Sequence, residues 1–204
     1  MSKLSAFSSS KKIKEYISDS ANSHISSFKH SVINNSENLI FLANECIKSI
    51  KNGGGIFFCG NGGSAADAQH FAAELVGRFE FDRAPLKSFA LSTDTSVLTC
   101  IANDYSYDDI FARQVQGLMC SKDVLIGIST SGNSENVFRA IEIANQKDIY
   151  TAAFLGRNGG KIKSRANLNI IVSSENTARI QECHEFFGHI LCAIIEKVIF
   201  EEKC

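Results

Sequence analysis

The stretch IFFCGNGGSAADA, residues 56–68, joins an apolar run directly to a glycine-rich loop and then to a helical segment. A short apolar run bounded by turn residues is typical of a strand that is buried on both faces. The glycines of the loop at residues 60–64 let a ligand approach the backbone closely. The stretch therefore predicts the strand, loop and helix that build sheets of parallel strands.

A second stretch, LIGISTSGNSENV at residues 125–137, has the same organisation. It runs from an apolar segment into a loop of Gly, Ser and Asn, and then into a helix with an acidic residue near its start. Neither stretch has the Walker lysine or the glycine spacing of dinucleotide-binding loops. The two stretches form a weak internal repeat, and nucleotide binding is not expected.

Apolar runs alternate with helical segments through most of the chain, which predicts a parallel sheet covered by helices on both faces. The predicted strands are GIFFCG, SFALS, DVLIGIS, YTAAFLG and LNIIVSS, and helices are predicted at residues 65–79, 95–102, 135–147 and 177–202. Before them, residues 11–52 have helical spacing and end in a glycine turn, which predicts two helices. We expect an N-terminal helical extension at residues 1–52 and a main domain at residues 53–204.

The charges of the chain nearly cancel, because 21 Lys and Arg residues face 22 Asp and Glu residues. No long run of one sign occurs, so a broad basic surface for nucleic acid is not expected, and small molecules or proteins are the expected partners. No stretch reaches the roughly 18 apolar residues of a membrane span, and the start lacks the apolar region of a signal peptide. We expect a cytoplasmic protein with no membrane partner.

The seven cysteines are scattered and form no C-x-x-C motif. This pattern indicates neither a disulfide framework nor a thiolate zinc site. Most of them are expected to be small buried residues. Cys59, beside the glycine loop, is expected to be packed in the core rather than reactive.

The loop after the third predicted strand is rich in hydroxyl groups. Four of them lie within six residues: Ser129, Thr130, Ser131 and Ser134. One interpretation is helix capping, with Ser131 or Ser134 as the N-cap residue and Glu135 in support. Four hydroxyls beside a helix N-terminus, at the sheet edge where ligands bind, instead favour a phosphate site. The glycine loop at residues 60–64 is expected to contact the same ligand.

His70 and Glu74 lie four residues apart on the helix predicted after the glycine loop. Side chains with this spacing project roughly 40° apart on one side of a helix. This geometry permits either a pair that takes part in catalysis or an ion pair on a solvated face. The large apolar residues of the helix are predicted to form a different face: Phe71, Leu75, Val76 and Phe79. The neighbours of the pair are all small: Ala66, Ala73 and Gly77. Small neighbours favour close packing of a ligand or another chain there.

The last predicted helix carries three further candidates: Gln181, His184 and His189. Its apolar residues are predicted to be core: Ile180, Cys183, Phe187, Leu191, Ile194, Ile195 and Val198. A single histidine on such a helix is usually structural, but two histidines and a glutamine weakly favour a site. Spacing does not distinguish His184 from His189. Nor does it identify glutamine as a metal ligand, because zinc normally takes His, Cys and carboxylates.

Four segments together resemble the sugar isomerase (SIS) domain family: CGNGGSAADAQHFAAEL, LTCIANDYSYDDIF, DVLIGISTSGNSENV and ARIQECHEFFGHIL. The resemblance extends from about Ser36 to Glu196, and within the family it is to enzymes that act on sedoheptulose 7-phosphate. It implies a three-layer α/β/α sandwich with a five-stranded parallel sheet, and a homotetramer with active sites between subunits. It also implies isomerisation of sedoheptulose 7-phosphate to D-glycero-D-manno-heptose 7-phosphate through an enediol, the first step of heptose synthesis for bacterial lipopolysaccharide or capsule.

The resemblance also implies roles for individual residues. The substrate would be contacted by Asn61, Gly62, Gly63, Glu74, Asn103, Asp104 and Gln181, and its phosphate by Ser129, Thr130, Ser131 and Ser134. One zinc ion per subunit would be held by His70, Glu74, Gln181 and His189. Glu74 is the implied catalytic base and His189 the implied acid.

General chemistry agrees with such a pair, because moving a proton between adjacent carbons and another between their oxygens needs a carboxylate and a group such as His. Two positions depart from the family pattern. Ala102 precedes Asn103 where a glycine is common, and Ala178 precedes Arg179 where an acidic residue occurs in some members. Both departures affect the expected substrate contacts, and neither removes the implied acid or base.

Two other functions are compatible with the resemblance. One is a non-catalytic SIS protein of the type that binds the bacterial replication initiator, but such proteins lack the counterparts of Glu74 and His189. The other is a different SIS enzyme, such as an arabinose 5-phosphate isomerase or an etherase for a phosphorylated amino sugar. Those enzymes usually differ in length and in appended domains.

Overall fold

The computed structural model describes residues 10–201, and a five-stranded parallel sheet forms the centre of this part of the chain. In chain order the strands are β1 (Ile56–Gly60), β2 (Ser88–Ala90), β3 (Val124–Ser129), β4 (Tyr150–Gly156) and β5 (Leu168–Val172). Their order across the sheet is β2-β1-β3-β4-β5, and every neighbouring pair is parallel. The predicted sheet is confirmed, and the strands that precede the two loops, β1 and β3, are neighbours.

The described residues contain six α-helices: α1 (Ser10–Lys51), α2 (Gly63–Val76), α3 (Thr95–Asp104), α4 (Ala112–Leu118), α5 (Glu135–Gln146) and α6 (Thr177–Phe200). One core packs α1, α2 and α6 on one face of the sheet, and a second core packs α3, α4 and α5 on the other. The predicted α/β/α sandwich with a long last helix is therefore confirmed. None of these helices is both long and apolar enough to span a membrane. The predicted end of the last helix, Glu202, lies outside the described residues.

Side chains of β1 alternate between the two cores. Ile56 and Phe58 belong to the core with α1, whereas Phe57 and Cys59 belong to the core with α5. Burial raises the pKa of the Cys59 thiol to about 12, which keeps it protonated near neutral pH. Its predicted role in core packing is confirmed. Of the other cysteines, Cys46, Cys183 and Cys192 are buried, Cys100 and Cys120 are exposed, and Cys204 lies outside the described residues.

The N-terminal segment forms one helix, α1, with 42 residues, so the prediction of two helices was wrong. Neither Gly nor Pro occurs in it to end a helix. Its polar middle pairs with the sheet instead of forming a turn. Asn35 Nδ2 donates to Ile171 O at 3.0 Å, and Asn35 Oδ1 accepts from Ile171 N at 2.9 Å. Asn38 Nδ2 donates to Asn169 O at 2.9 Å. These asparagines form hydrogen bonds with backbone N–H and C=O groups of β5, an edge strand with only one neighbouring strand.

The second half of α1 packs into the core of the main domain through Leu39, Leu42, Cys46 and Ile47. The division into residues 1–52 and 53–204 stays a prediction, and residues 1–9 lie outside the described range.

The helix α2 ends three residues earlier than predicted. Phe71 and Leu75 are fully buried as expected, but Val76 is 47% exposed, so its assignment to the apolar face was wrong. The chain leaves the helical path at Gly77, whose N–H donates to Ala73 O at 2.8 Å. Phe79 lies beyond the helix and packs against the core from the following loop.

Candidate active site

The loops that follow β1 and β3 meet at the carboxyl edge of the sheet. Asn61 and Asn136 exchange two hydrogen bonds through their side-chain amides, at 2.8 and 2.9 Å. Tyr107 Oη donates to Asn61 Oδ1 at 3.0 Å, which adds the segment after α3 to the same edge. Asn136 was not a predicted site residue, and nothing in its sequence context separates it from an ordinary helix residue. The pair joins the glycine loop to the start of α5.

The predicted hydroxyl cluster is present in the loop before α5. Ser129 Oγ lies 2.9 Å from Ser134 Oγ and 3.5 Å from Ser131 Oγ. Ser134 occupies the N-cap position but makes no side-chain bond to a helix N–H, and Glu135 pairs with Lys161 and Arg139. Capping therefore does not account for these hydroxyls. They remain grouped beside the N-terminus of α5, where an anion is favoured.

The shape of the hydroxyl loop depends on contact with the loop after β4. Gly132 has a φ of 67°, and a Cβ built there would lie 2.2 Å from Gly159 O. Ile162 N donates to Gly132 O at 3.0 Å, and Lys161 N donates to Asn133 Oδ1 at 3.0 Å. A side chain at residue 132 would therefore force the two loops apart.

His70, Glu74 and His189 come together between α2 and α6. His70 Nε2 lies 2.9 Å from Glu74 Oε1 and 3.3 Å from His189 Nε2. The side chains of His70 and Glu74 are 40% and 24% exposed, so solvent and ligands reach them. The pair is thus part of a cluster rather than an isolated ion pair on a solvated face. The small residues beside it, Ala66, Ala73 and Gly77, are exposed in the single chain.

Two acidic residues that were not predicted complete this cluster. Glu185 Oε1 lies 2.7 Å from His70 Nδ1 and 3.5 Å from His189 Nε2. Asp67, on α2, faces Glu185, and the two carboxyl groups can share a hydrogen bond only while one of them is protonated. Burial raises the pKa of Asp67 to about 7, with the charge of Glu185 and the hydrogen bond to it adding to the rise and His70 opposing it. The spacing of Glu185 and His189, four residues apart on the last helix, was a signal that could have identified Glu185.

Gln181 and His184 lie in different surroundings on α6. The Gln181 amide packs on the glycine loop, so closely that a Cβ on Gly63 would lie 2.1 Å from Gln181 Nε2. His184 is fully buried, with Nε2 3.1 Å from Leu155 O. Burial lowers the pKa of His184 to about 4 despite that bond, so its ring is neutral. Of the two histidines that spacing left open, His189 therefore joins the cluster and His184 belongs to the core.

Asn103 and Asp104 lie at the exposed end of α3. Asn103 Nδ2 donates to Asp104 Oδ1 at 2.8 Å, and Cys100 Sγ donates to Asp104 Oδ2 at 3.4 Å. Tyr107, three residues further along, reaches Asn61. The structure therefore places this segment at the same sheet edge as the glycine loop, and a substrate contact for the two residues stays a prediction.

A buried ion pair fixes the end of α2, where Glu74 lies. Arg83 Nε lies 2.8 Å from Glu196 Oε1, with the two side chains 2% and 0% exposed. The Arg83 guanidinium also donates to four backbone carbonyls, those of Glu74, Leu75, Gly77 and Ala84. Glu196 in turn accepts from the N–H groups of residues 79 and 80. The pair thereby ties α6 to the last turn of α2.

The donor set of the cluster fits a divalent metal ion. His70, Glu185 and His189 each offer a ligand atom, and these atoms lie within 4.8 Å of one another. Glu74 Oε1 and His189 Nε2 both lie close to the same atom, His70 Nε2. Imidazole nitrogens and carboxylate oxygens are ligands that Zn²⁺ accepts. The described residues therefore contain a His/Glu cluster that can hold such an ion.

Comparisons with known proteins agree on one family. The family model described as SIS domain matches residues 19–156. A phosphoheptose isomerase of a Nitratiruptor species is 57% identical over 152 residues, which are 74% of this chain and 81% of that protein. A phosphoheptose isomerase of Aquifex aeolicus is 50% identical over 167 residues, 82% of this chain and 87% of that protein.

A solved structure gives the same result. The structure of phosphoheptose isomerase GmhA from Neisseria gonorrhoeae aligns with a TM-score of 0.86 and 40% identity, covering 91% of this chain and 99% of that one. The fold is thus shared over almost the full length of a solved relative. With more than half of its residues matched by the family model and close relatives over most of their length, the chain belongs to the SIS domain family.

Proposed function

We propose that the chain is a phosphoheptose isomerase that converts sedoheptulose 7-phosphate to D-glycero-D-manno-heptose 7-phosphate. The observation that carries the proposal is the meeting of Glu74, His70 and His189 between α2 and α6. Gln181, on the same helix as His189, packs on the glycine loop, which is joined in turn to the start of α5 beside the hydroxyl loop. The names of the relatives point to the same reaction.

In the proposed mechanism Glu74 is the base. Its carboxylate takes the proton from C1 of the ketose and returns it to C2, so that the carbonyl moves from C2 to C1 through an enediol. The contact with His70 Nε2 at 2.9 Å and the anchoring of the Glu74 carbonyl by Arg83 hold the residue in place. General acid–base catalysis by such a group is worth about 10²- to 10⁴-fold.

His189 is the proposed acid. It donates a proton to the C2 oxygen while the C1 hydroxyl loses one, so the net charge of the sugar is unchanged across the reaction. Its ring stacks on Phe79, with the centroids 5.6 Å apart, and this contact orients the imidazole. A histidine suits the task because its imidazole ring can both donate and accept a proton.

A zinc ion, one per subunit, is proposed to bind at His70, Glu74, Gln181 and His189. It would polarise the substrate carbonyl and order the surrounding side chains. The meeting of His70 and His189 with the carboxylate oxygens of Glu74 and Glu185 supports a metal near these ligands. Elemental analysis of protein purified without chelator tests it directly.

The substrate phosphate is proposed to bind at Ser129, Thr130, Ser131 and Ser134, beside the N-terminus of α5. Asn61, Gly62, Gly63, Asn103 and Asp104 are proposed to contact the sugar. The grouped hydroxyls and the positive end of the helix dipole both favour a doubly charged phosphate.

Replacing both Ser129 and Ser131 by alanine is expected to raise KM for the sugar phosphate about 100-fold, because hydrogen bonds to a charged group are lost. The fold should be retained, since neither hydroxyl caps α5. Steady-state kinetics and circular dichroism measure the two effects. Ser36→Ala, on the exposed surface of α1, serves as the control. An unchanged KM in the double variant would remove the phosphate from this loop.

The active form is proposed to be a cytoplasmic homotetramer with active sites between subunits. The single chain exposes large apolar residues on α1, including Ile17, Ile33 and Phe41, with exposed fractions of 61%, 78% and 60%. Contact with other copies of the chain would cover such residues. The small residues beside His70 and Glu74 leave room for a neighbouring subunit to approach the site.

Incubation with sedoheptulose 7-phosphate tests the proposal. Formation of an aldose phosphate, detected by nuclear magnetic resonance or by a coupled assay, is the expected result. A product would place the enzyme at the start of heptose synthesis for lipopolysaccharide or capsule. Lack of turnover in protein loaded with metal would contradict the proposal. The non-catalytic protein that binds a replication initiator would then become the better candidate.

A further inference from the structure

Glu185 lies between the two histidines of the cluster, and the two ring nitrogens of His70 have different partners. Nδ1 faces Glu185 Oε1 at 2.7 Å, whereas Nε2 faces Glu74 Oε1 at 2.9 Å and His189 Nε2 at 3.3 Å. Carboxylates only accept hydrogen bonds, and the contact with Glu185 is the shorter of the two, so we place the single proton of the neutral ring on Nδ1. In the neutral ring, Nε2 then carries the lone pair.

We propose that Glu185 is a positioning residue, which fixes the tautomer and ring orientation of His70 so that Nε2 faces the metal and substrate side of the cluster. The inference rests on the proposed function, which supplies the metal and the substrate. The contact between Glu185 and His70 does not depend on that function. Carboxylates commonly accept the second N–H of a metal-binding histidine, which holds the ring and makes it a better ligand.

The arrangement leaves two acceptors facing one another. With the proton on Nδ1, the Nε2 lone pair of His70 meets Glu74 Oε1, and His189 Nε2 lies beside them. Acceptors so close repel one another unless a positive charge lies among them, either a second proton on His70 or a metal ion. Glu185 thus directs the unprotonated nitrogen to the place where a cation is needed.

Glu185 is itself held from both helices. Its backbone belongs to α6, and its carboxylate meets the His70 ring of α2 at 2.7 Å. The spacing of the two helices is set nearby, where Phe71 packs on Gly188 so closely that a Cβ there would lie 2.1 Å from the ring. With 32% of its side chain exposed, Glu185 needs these contacts to keep one orientation.

Two variants separate orientation from charge. Glu185→Gln keeps an oxygen that can accept a hydrogen bond from the Nδ1–H group but removes the charge, whereas Glu185→Leu removes both. Glu182→Gln is the matched control, because this residue lies one turn earlier on α6 and pairs with His24 and Arg179 instead.

The first measurement uses metal-free protein labelled with ¹⁵N-histidine at pH 8, with the His70 signals assigned by their loss in His70→Gln. We expect the Nδ1–H tautomer in the wild type, the Gln variant and the control, and loss of its predominance in Glu185→Leu. The second measurement is Zn²⁺ affinity by competition with a coloured chelator. We expect affinity to fall about 10- to 100-fold in Glu185→Leu, less in Glu185→Gln, and not at all in the control.

An unchanged tautomer together with unchanged Zn²⁺ affinity in Glu185→Leu would overturn the inference. Loss of one oxygen ligand from the X-ray absorption spectrum of bound zinc in that variant would also overturn it, because Glu185 would then be a ligand itself. The tautomer measurement involves no substrate. A shifted tautomer in protein that fails to isomerise sedoheptulose 7-phosphate would therefore contradict the proposed function while supporting the role of Glu185.

Discussion

Glu74→Gln is expected to lower kcat for isomerisation of sedoheptulose 7-phosphate by about 10²- to 10⁴-fold. The amide has almost the same shape as the carboxylate and can occupy the same place beside His70, but it cannot take a proton from carbon. The Glu74 backbone carbonyl keeps its bond to Arg83, so the end of α2 should not move. Steady-state kinetics at saturating substrate measure the loss, and a thermal melt checks the fold.

Because Glu74 is also a proposed metal ligand, the two roles need separate readouts. The variant should be assayed with its zinc content measured and with zinc added in excess. Exchange of the C1 proton of the substrate with D₂O reports on the base alone. Full turnover with excess zinc would make Glu74 only a ligand and would contradict its assignment as the base. Glu142→Gln, on the surface of α5 and paired with Arg165, is the control that should retain full activity.

The sequence correctly predicted those parts of the site that depend on residues close together in the chain. Apolar runs followed by Gly, Ser and Asn located the loops after β1 and β3, and parallel strands necessarily bring such loops to one edge. Helical spacing placed His70 beside Glu74, and the two are in contact. The role of His189 came from family resemblance, because spacing alone treated it and His184 alike. Only the packing of α6 distinguishes them, by burying His184 against Leu155.

The residues that were missed depend on contacts distant in the chain. Glu185 and Asp67 lie 118 positions apart and meet because α2 and α6 pack on the same face of the sheet. Arg83 and Glu196 occur in segments that resemble ordinary charged surface. Their burial follows from the path of the loop after α2 across α6, which no local pattern records. The single helix α1 was predicted as two helices for a related reason, because its asparagines bind partners on β5 that are more than 130 residues away.

Glu196→Gln is expected to lower the stability of the folded protein by about 3 kcal/mol or more, the usual cost of leaving one charge of a buried pair alone. For a chain of this size the melting temperature should fall by about 6–12 °C. Glu196 accepts from two backbone N–H groups as well as from Arg83, and a neutral amide replaces these bonds poorly. Thermal melts at one fixed protein concentration measure the change, since assembly would make the transition depend on concentration.

The pH dependence of this loss has a definite sign. Burial acts to raise the pKa of Glu196, but the hydrogen bonds from the N–H groups of Glu80 and Phe79, together with Arg83, outweigh it and lower the pKa below 4.5. A carboxylate whose pKa is lower in the folded state contributes stability above its unfolded pKa and loses that contribution as the pH falls. The difference in melting temperature between wild type and Glu196→Gln should therefore shrink below about pH 4.5.

Lys197→Gln is the matched control for this pair, because Lys197 is the next residue on α6 and forms an exposed ion pair with Glu80 at 2.8 Å. Exposed pairs contribute little, so the melting temperature should stay almost unchanged.

The double variant Arg83→Met with Glu196→Leu separates charge from hydrogen bonding. Replacing a buried pair by apolar residues is often neutral, but here four carbonyls at the end of α2 would lose the guanidinium. We therefore expect the double variant to remain destabilised and to lose isomerase activity, since the turn that carries Glu74 is no longer anchored. Wild-type stability and turnover in the double variant would show that the pair does not anchor the site.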